Sequence, residues 1–302
     1  MRIGVDLGGT KTESVAIDDG GAERARVRVA TPSHSYDEIV ATIVRLVHDT
    51  EARAGQRGTV GVGIPGAVSP ATGLVKNANT MVLNGHPLDR DLAAALGRPV
   101  RVANDANCFA LSEASDGAGT GSRVVFGVIV GTGTGGGVVV DGKVLTGPHA
   151  IAGEWGHNPL PWPRDDERPG PACYCGKSGC IETFLAGPSL VRDHRLNAGE
   201  QLAAAEIARR AEAGDPAAVA TLTRYADRMA RSLACVINVL DPDVIVLGGG
   251  VSNIARLYRE VPLLLGRYVF SDTISTPLRP ARHGDASGVR GAAWLWPAGR
   301  LE

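Results

Sequence analysis

A chain of 302 residues with 44% hydrophobic and 21% charged residues has the material for two globular domains, and its formal net charge of −1 lacks the basic excess that nucleic acid selects. No apolar run is long enough to span a bilayer and no signal-peptide core precedes the first strand, so a cytoplasmic protein is the default expectation. The 40 glycines fall at turns between short apolar strands, as ligand-gripping loops require.

The first element, Ile3-Gly4-Val5-Asp6-Leu7, reads as a buried strand, and Glu13-Ser14-Val15-Ala16-Ile17 as its return. Between them Gly8 and Gly9 permit a turn whose backbone N–H groups can face an anion. Thr10 adds a hydroxyl donor, Lys11 a positive charge, and Asp6 a carboxylate placed to hold Mg²⁺ beside phosphate oxygens. The spacing of a strand-to-helix P-loop is absent, so the expectation is a phosphate-gripping hairpin, with an ordinary Gly-rich turn as the alternative.

Further on, Arg101-Val102-Ala103-Asn104-Asp105-Ala106-Asn107 reads as a strand end followed by a helix start. Asn104 and Asp105 suit an N-cap there. Asp105 equally suits a carboxylate that deprotonates an acceptor hydroxyl, with Asn104 beside it to hold other hydroxyls. Next, Val124–Val130, a Gly131-Thr132-Gly133-Thr134 turn and Val138-Val139-Val140 repeat the opening strand–turn–strand unit. Gly131, Gly133 and Gly136 match a dinucleotide fingerprint, but β-branched residues leading into Asp141-Gly142 follow where that motif needs a helix.

Three of the five cysteines lie in Cys173-Tyr174-Cys175-Gly176-Lys177-Ser178-Gly179-Cys180. In a reducing compartment such spacing favours a metal, and His157 supplies a fourth ligand for tetrahedral Zn²⁺. A closed Cys₃His set is structural, pinning the loop that carries Glu154, His157 and Glu182. Cys108 and Cys235 stand in apolar helical contexts and read as buried small side chains. Helices are expected over 201–212 and 217–240, a strand over 243–247 closed by Gly248-Gly249-Gly250, and a last helix over 287–295. The bare glycines 248–250 allow a flat adenine or ribose to approach the backbone, or simply a tight connection.

Two such hairpins resemble the nucleotide-binding architecture of sugar kinases, actin and the Hsp70 ATPase, an α/β fold of two domains with an interdomain cleft. By that resemblance Asp6, Gly8, Gly9, Thr10, Lys11, Thr132, Gly133 and Thr134 hold ATP phosphates and Gly248, Gly249 and Gly250 pack on adenosine. Adding Gly63-Ile64-Pro65-Gly66, Asn104-Asp105-Ala106-Asn107, Gly153-Glu154-Trp155-Gly156-His157 and Cys180-Ile181-Glu182, nearly the whole chain is similar to the ROK family of bacterial sugar kinases and repressors. The resemblance implies Asp105 as catalytic base, with Asn104, Glu154, His157 and Glu182 on sugar hydroxyls and Gly66 and Asn79 lining the pocket. His157 would then serve both zinc and sugar. It implies a first domain over residues 1–118, rejoined by a C-terminal helix over 289–302, and a second over 119–288 carrying the zinc loop. The expected partners are ATP and a free sugar, with Mg²⁺ and structural Zn²⁺, and the expected assembly is a homodimer.

Within the family, Lys76-Asn77-Ala78-Asn79, Leu83-Asn84-Gly85 and Glu154 to Trp162 resemble the manno(fructo)kinases. That predicts phosphorylation of the 6-hydroxyl of D-fructose, with mannose or glucose slower. Trp155 is expected to restrict room for an N-acetyl group. An N-acetylglucosamine kinase is the alternative, on stretches such as Asn107-Cys108-Phe109-Ala110-Leu111. A repressor would need a helix-turn-helix before Ile3, a non-catalytic sugar sensor would not need Asp6 and Asp105 intact, and a zinc hydrolase would need an open metal position.

Overall fold

The computed structural model describes residues 1–32 and 34–297. In chain order it contains β1 (Arg2–Leu7), β2 (Lys11–Ile17), β3 (Glu23–Ala30), α1 (Tyr36–Ala54), β4 (Thr59–Ile64), β5 (Ala67–Val68), β6 (Val75–Lys76), α2 (Leu88–Leu96), β7 (Val100–Asn104), α3 (Asp105–Ser115), β8 (Val124–Val130), β9 (Thr134–Val140) and β10 (Lys143–Val144). There follow α4 (Glu182–Leu185), α5 (Gly187–Ala198), α6 (Ala204–Glu212), α7 (Pro216–Leu240), β11 (Val244–Gly248), α8 (Ala255–Leu265), β12 (Leu278–Pro280) and α9 (Ser287–Trp294). The expected helix over 289–302 therefore begins two residues earlier and ends at Trp294, and residues 298–302 lie outside the described residues. Among the described residues no helix is long and apolar enough to cross a membrane.

Backbone contacts divide the chain into two units. The first is Met1–Thr120, Gly137–Ala152 and the segment from Asp285; the second is Gly121–Gly136 and Gly153–Gly284. The first unit is built on a sheet of order β3-β2-β1-β4-β7, with β1 antiparallel to β2 and parallel to β4. Period-2 alternation explains its two faces. Ile3, Val5 and Leu7 of β1 and Val60, Val62 and Ile64 of β4 join Ile39, Ile43 and Val47 of α1 and Leu88 and Leu92 of α2 in one core. Each such side chain contributes roughly 1.5–3 kcal/mol on full burial. Helix α1 is delimited by Ser35, whose Oγ accepts the Glu38 N–H, and by Gly55 in the left-handed region.

On the opposite face Gly4 and Gly61 are paired in register, and a Cβ at either would run into the α9 backbone at Val289 or Ala292. Gly291 in turn lets α9 meet α3 at the Cys108 carbonyl. The contact is tied by Ser287 Oγ donating to Glu113 Oε1 at 2.7 Å and by the Arg290–Asp116 ion pair. So the small residues of the last helix serve close approach of three backbones.

The second sheet has order β10-β9-β8-β11-β12, and the chain changes units within β9, at Gly136/Gly137. Asp141 and Gly142, both at positive φ, form the tight β9–β10 hairpin expected from the sequence. In the second unit β8, β11 and β12 run parallel. Helix α7 starts at the N-cap Asp215, whose side chain accepts the Ala218 N–H, with Pro216 at its first position, and ends at Asp241 before Pro242. Its buried Leu222, Tyr225, Met229 and Leu233 form the stripe that packs on α5, α6 and α8.

Candidate active site

In the first unit the turn after β1 is a true β-hairpin. Gly8 N–H donates to the Lys11 carbonyl at 3.1 Å, leaving Gly9, Thr10 and Lys11 exposed. Thr31 braces it from β3's end: its Oγ1 donates to the Gly8 carbonyl at 2.7 Å and meets Thr12 Oγ1 at 2.8 Å, and its N–H donates to Thr10. Neither Thr12 nor Thr31 carries a sequence signal for this role, since their pairing depends on β2–β3 register.

Asp6 lies opposite Glu13, and Gly63 and Gly288 flank its carboxyl closely enough that an added Cβ would stand 3.7 and 3.2 Å from it. Burial, then the charges of Asp105 and Glu13, push the Asp6 carboxyl up to about 7, with Lys11 pulling the other way. Asp6 and Asp105 are thus electrostatic neighbours in one unit. Asn104 is the N-cap of α3: its Oδ1 accepts the Ala106 N–H at 2.9 Å. Asp105 is the first helical residue, and its Oδ1 accepts that same N–H at 2.8 Å. Both side chains therefore meet the same first-turn amide of α3.

Gly66 packs on Ala78, where a Cβ would come within 2.8 Å of Cα, and Asn79 N–H donates to the Pro65 carbonyl at 3.0 Å. Asn84 clamps this loop by accepting the Ala78 N–H at 2.9 Å and donating to its carbonyl at 3.0 Å. The side chain of Asn79 is left exposed.

In the second unit the turn after β8 is closed by Gly131 N–H to the Gly133 carbonyl at 2.9 Å. The β11 turn abuts it: Gly249, at φ +82°, is so close that a Cβ would be 2.5 Å from the Val130 carbonyl oxygen. The structure thus brings Thr132–Thr134 and Gly248–Gly250 side by side. Glu182, at the start of α4, accepts the Thr134 N–H through Oε2 at 2.9 Å, and a Cβ at Gly133 would stand 2.7 Å from that oxygen, so a side chain there would displace the carboxylate.

The cysteine loop folds as a compact knuckle. His157 Nδ1 lies 3.6 Å from Cys173 Sγ, Cys175 Sγ lies 3.6 Å from Cys180 Sγ, and one ligand atom from each of the four residues falls within 4.8 Å of every other. Tetrahedral zinc at bond lengths of about 2.1 Å to nitrogen and 2.3 Å to sulfur would place ligand atoms about 3.6–3.8 Å apart, so the donor set fits such an ion. Burial raises the thiols of Cys173 and Cys180, the latter to about 12, while the Lys177 N–H lowers that of Cys175. Binding a divalent cation here therefore releases protons. His157 Nε2 meets the hydroxyl of Tyr174 at 2.9 Å.

Between His157 and Cys173 the long segment is anchored on α7. Glu167, 6% exposed, accepts from Arg228 Nε at 2.7 Å and Arg231 Nη2 at 2.8 Å, and Arg231 Nη1 also holds the carbonyls of Pro161 and Trp162. Trp162 stacks on Tyr268 with ring centroids 5.6 Å apart.

Trp155 does not do what the sequence suggested. It is 5% exposed, donates Nε1–H to the Gly135 carbonyl at 3.0 Å, and sets its ring edge against Phe126 and over Gly136. Its indole fills the interior of the second unit, so it supplies no wall against an N-acetyl group. Leu160 is buried as well. Of the residues that suggested a fructose-type subgroup, Trp155 and Leu160 are packing residues, whereas Asn79, Glu154 and Trp162 are exposed.

Comparison with known proteins agrees with this geometry. The profile of the ROK family matches residues 2–298. The N-acetyl-D-glucosamine kinase of Pasteurella multocida is 42% identical over 98% of this chain and 99% of its own, and that of Vibrio cholerae is 41% identical over 98% and 99%. Among solved structures, the ROK hexokinase from Thermus thermophilus superposes with a TM-score of 0.86 at 35% identity, covering 97% of this chain and 96% of that one. The Streptomyces griseus ROK glucokinase, solved with glucose and AMPPNP, gives 0.78 at 30% over 97% and 98%. The fold is therefore the two-domain α/β architecture of the actin, hexokinase and Hsp70 group. The expected subgroup is corrected: relatives at 40–42% identity are N-acetylglucosamine kinases, not fructokinases or mannokinases.

Proposed function

The chain belongs to the ROK family, and from that membership we propose that it transfers the γ-phosphoryl group of ATP to the 6-hydroxyl of N-acetyl-D-glucosamine. It is an ATP-dependent phosphotransferase acting on a sugar hydroxyl. The observation that carries the choice of sugar is identity of 40–42% over nearly full length to kinases of that amino sugar, and burial of Trp155 removes the argument against an N-acetyl group. Fructose is set aside as the expected acceptor.

In this reading Asp105 takes the proton of the 6-hydroxyl as that oxygen bonds to phosphorus and the ADP oxygen departs. The Ala106 N–H fixes one carboxyl oxygen of Asp105, which limits rotation of the base. The amides of Gly8 and Gly9, with Thr10 and Lys11, grip phosphate oxygens; Thr132, Gly133 and Thr134 do so from the second hairpin, and Gly248, Gly249 and Gly250 receive adenosine. Asp6 would hold Mg²⁺, which neutralises phosphate charge when bound. Asn79, Gly66, Asn104, Glu154, His157 and Glu182 form the sugar-binding set; because Glu182 Oε2 already holds Thr134 N–H, its Oε1 is the atom to meet a sugar hydroxyl. His157, Cys173, Cys175 and Cys180 would hold a structural zinc, which contributes folding energy to the 157–182 loop.

The test is a coupled ADP-release assay with fructose, mannose, glucose, N-acetylglucosamine and N-acetylmannosamine. The expected result is the highest kcat/KM for N-acetylglucosamine, since sites that hydrogen-bond a substituent discriminate against its absence. Highest kcat/KM for an unsubstituted hexose overturns the choice of sugar, and no ADP release with any of them overturns the kinase itself.

A further inference from the structure

Tyr174 stands between two of the cluster's cysteines in sequence and is 73% exposed, yet its hydroxyl meets His157 Nε2 at 2.9 Å. The two rings are also fixed edge to face, with centroids 5.1 Å apart and planes at 86°. On the other side of the same imidazole, Nδ1 faces Cys173 Sγ at 3.6 Å. We infer that Tyr174 is a positioning residue for the metal cluster: in the sugar-free chain its hydroxyl accepts the Nε2–H of His157, the donor that a sugar hydroxyl would take over, and so presents the Nδ1 lone pair to an ion held by the three thiols. This rests on the reading of the cluster as a metal site.

The physical argument is one of tautomer and rotation. A neutral imidazole carries one proton, and only the nitrogen without it can ligate. A hydrogen-bond acceptor at Nε2 places the proton there and leaves Nδ1 as donor to the ion. The edge-to-face contact also resists a ring flip that would exchange the two nitrogens. Histidine ligands depend on such outer partners, whose loss costs about 10–100-fold in metal affinity. The partner lies in the motif itself, so the backbone of the Cys173–Cys175 turn carries both a ligand thiolate and the group that orients the histidine.

Tyr174→Phe keeps the ring contact and removes only the hydroxyl. Zinc affinity is measured on the full chain by competition with a chromophoric chelator, in parent and variant, together with the unfolding midpoint of each zinc-free protein. The expected result is zinc bound about tenfold or more weakly by the variant, with the zinc-free midpoint unchanged. Affinity within twofold of the parent overturns the inference while leaving the metal site standing. Weaker binding accompanied by an equally lowered zinc-free midpoint also overturns it, because the hydroxyl then acts through general packing. A parent that binds no zinc overturns the metal reading and this inference together.

Discussion

Glu167 offers a perturbation whose size follows from its surroundings. Burial pushes its carboxyl up, but hydrogen bonds from Arg231 and Arg228 and the Arg164 N–H outweigh burial and hold it at about 2 against an ordinary 4.5. That gap corresponds to about 3 kcal/mol at neutral pH. Removing one member of a buried pair costs about 3–5 kcal/mol, because the arginines stay buried without their counter-charge. The two routes agree. Arg231 is 2% exposed, so water cannot take over the role of the carboxylate. Glu167→Gln is therefore expected to lower unfolding free energy by about 3–4 kcal/mol at pH 7. Since the folded pKa is depressed, this stabilisation is fully present above about pH 4.5, about half gone near pH 3, and lost below about pH 2. Urea unfolding in excess zinc, compared at pH 7 and pH 4, reads the first part. Trypsin cleavage after Arg164 reads the second, because the segment loses its anchor on α7 and is expected to be cut faster; the bond after Arg168 is closed to trypsin by Pro169. A variant within about 0.5 kcal/mol of the parent at pH 7 would refute the claim that this ion network holds the loop.

Asp105→Asn should retain the fold and sugar binding and lose about 10²–10⁴-fold in kcat, because an amide accepts a hydrogen bond but not the proton; near-normal turnover removes Asp105 from the role of base. Cys175→Ser should release the metal and Cys108→Ser should not, since Cys108 is buried against α9 and outside the cluster; equal metal content in parent and the Cys175 variant, by elemental analysis, sinks the site. Asp6→Asn should gain stability as pH rises in chelator-treated, nucleotide-free protein. The folded pKa near 7 is raised from 3.8, so the parent loses stability between those values while the amide does not, and the advantage of the variant should grow by about 2–3 kcal/mol from pH 5 to pH 8. A constant difference in unfolding midpoint across that range contradicts the burial of this carboxyl beside Asp105, and the same variant should lose kinase activity.

What could be read from the sequence alone is what neighbouring residues decide among themselves. Two Gly/Thr hairpins, the Asp141-Gly142 turn, the end of α7 before Asp241-Pro242 and the three thiols of Cys173–Cys180 are set by local backbone preference and short spacing, and each is present as expected. Small residues in the last helix foretold close packing, though not that Gly4, Gly61 and Gly291 would be the contact points on three different elements. The pairings that required the tertiary structure join residues far apart in the chain. Glu182 reaches the amide of Thr134, Glu167 reaches Arg228 and Arg231, and Thr31 braces Gly8. Trp155 is the instructive failure: its sequence neighbourhood is that of a sugar loop, but the gap above Gly136 and beside Phe126 admits an indole, and burying that surface outweighs leaving it in a pocket. Side-chain direction depends on which cavity the rest of the fold leaves open, and that is a property of packing between distant segments, not of a motif.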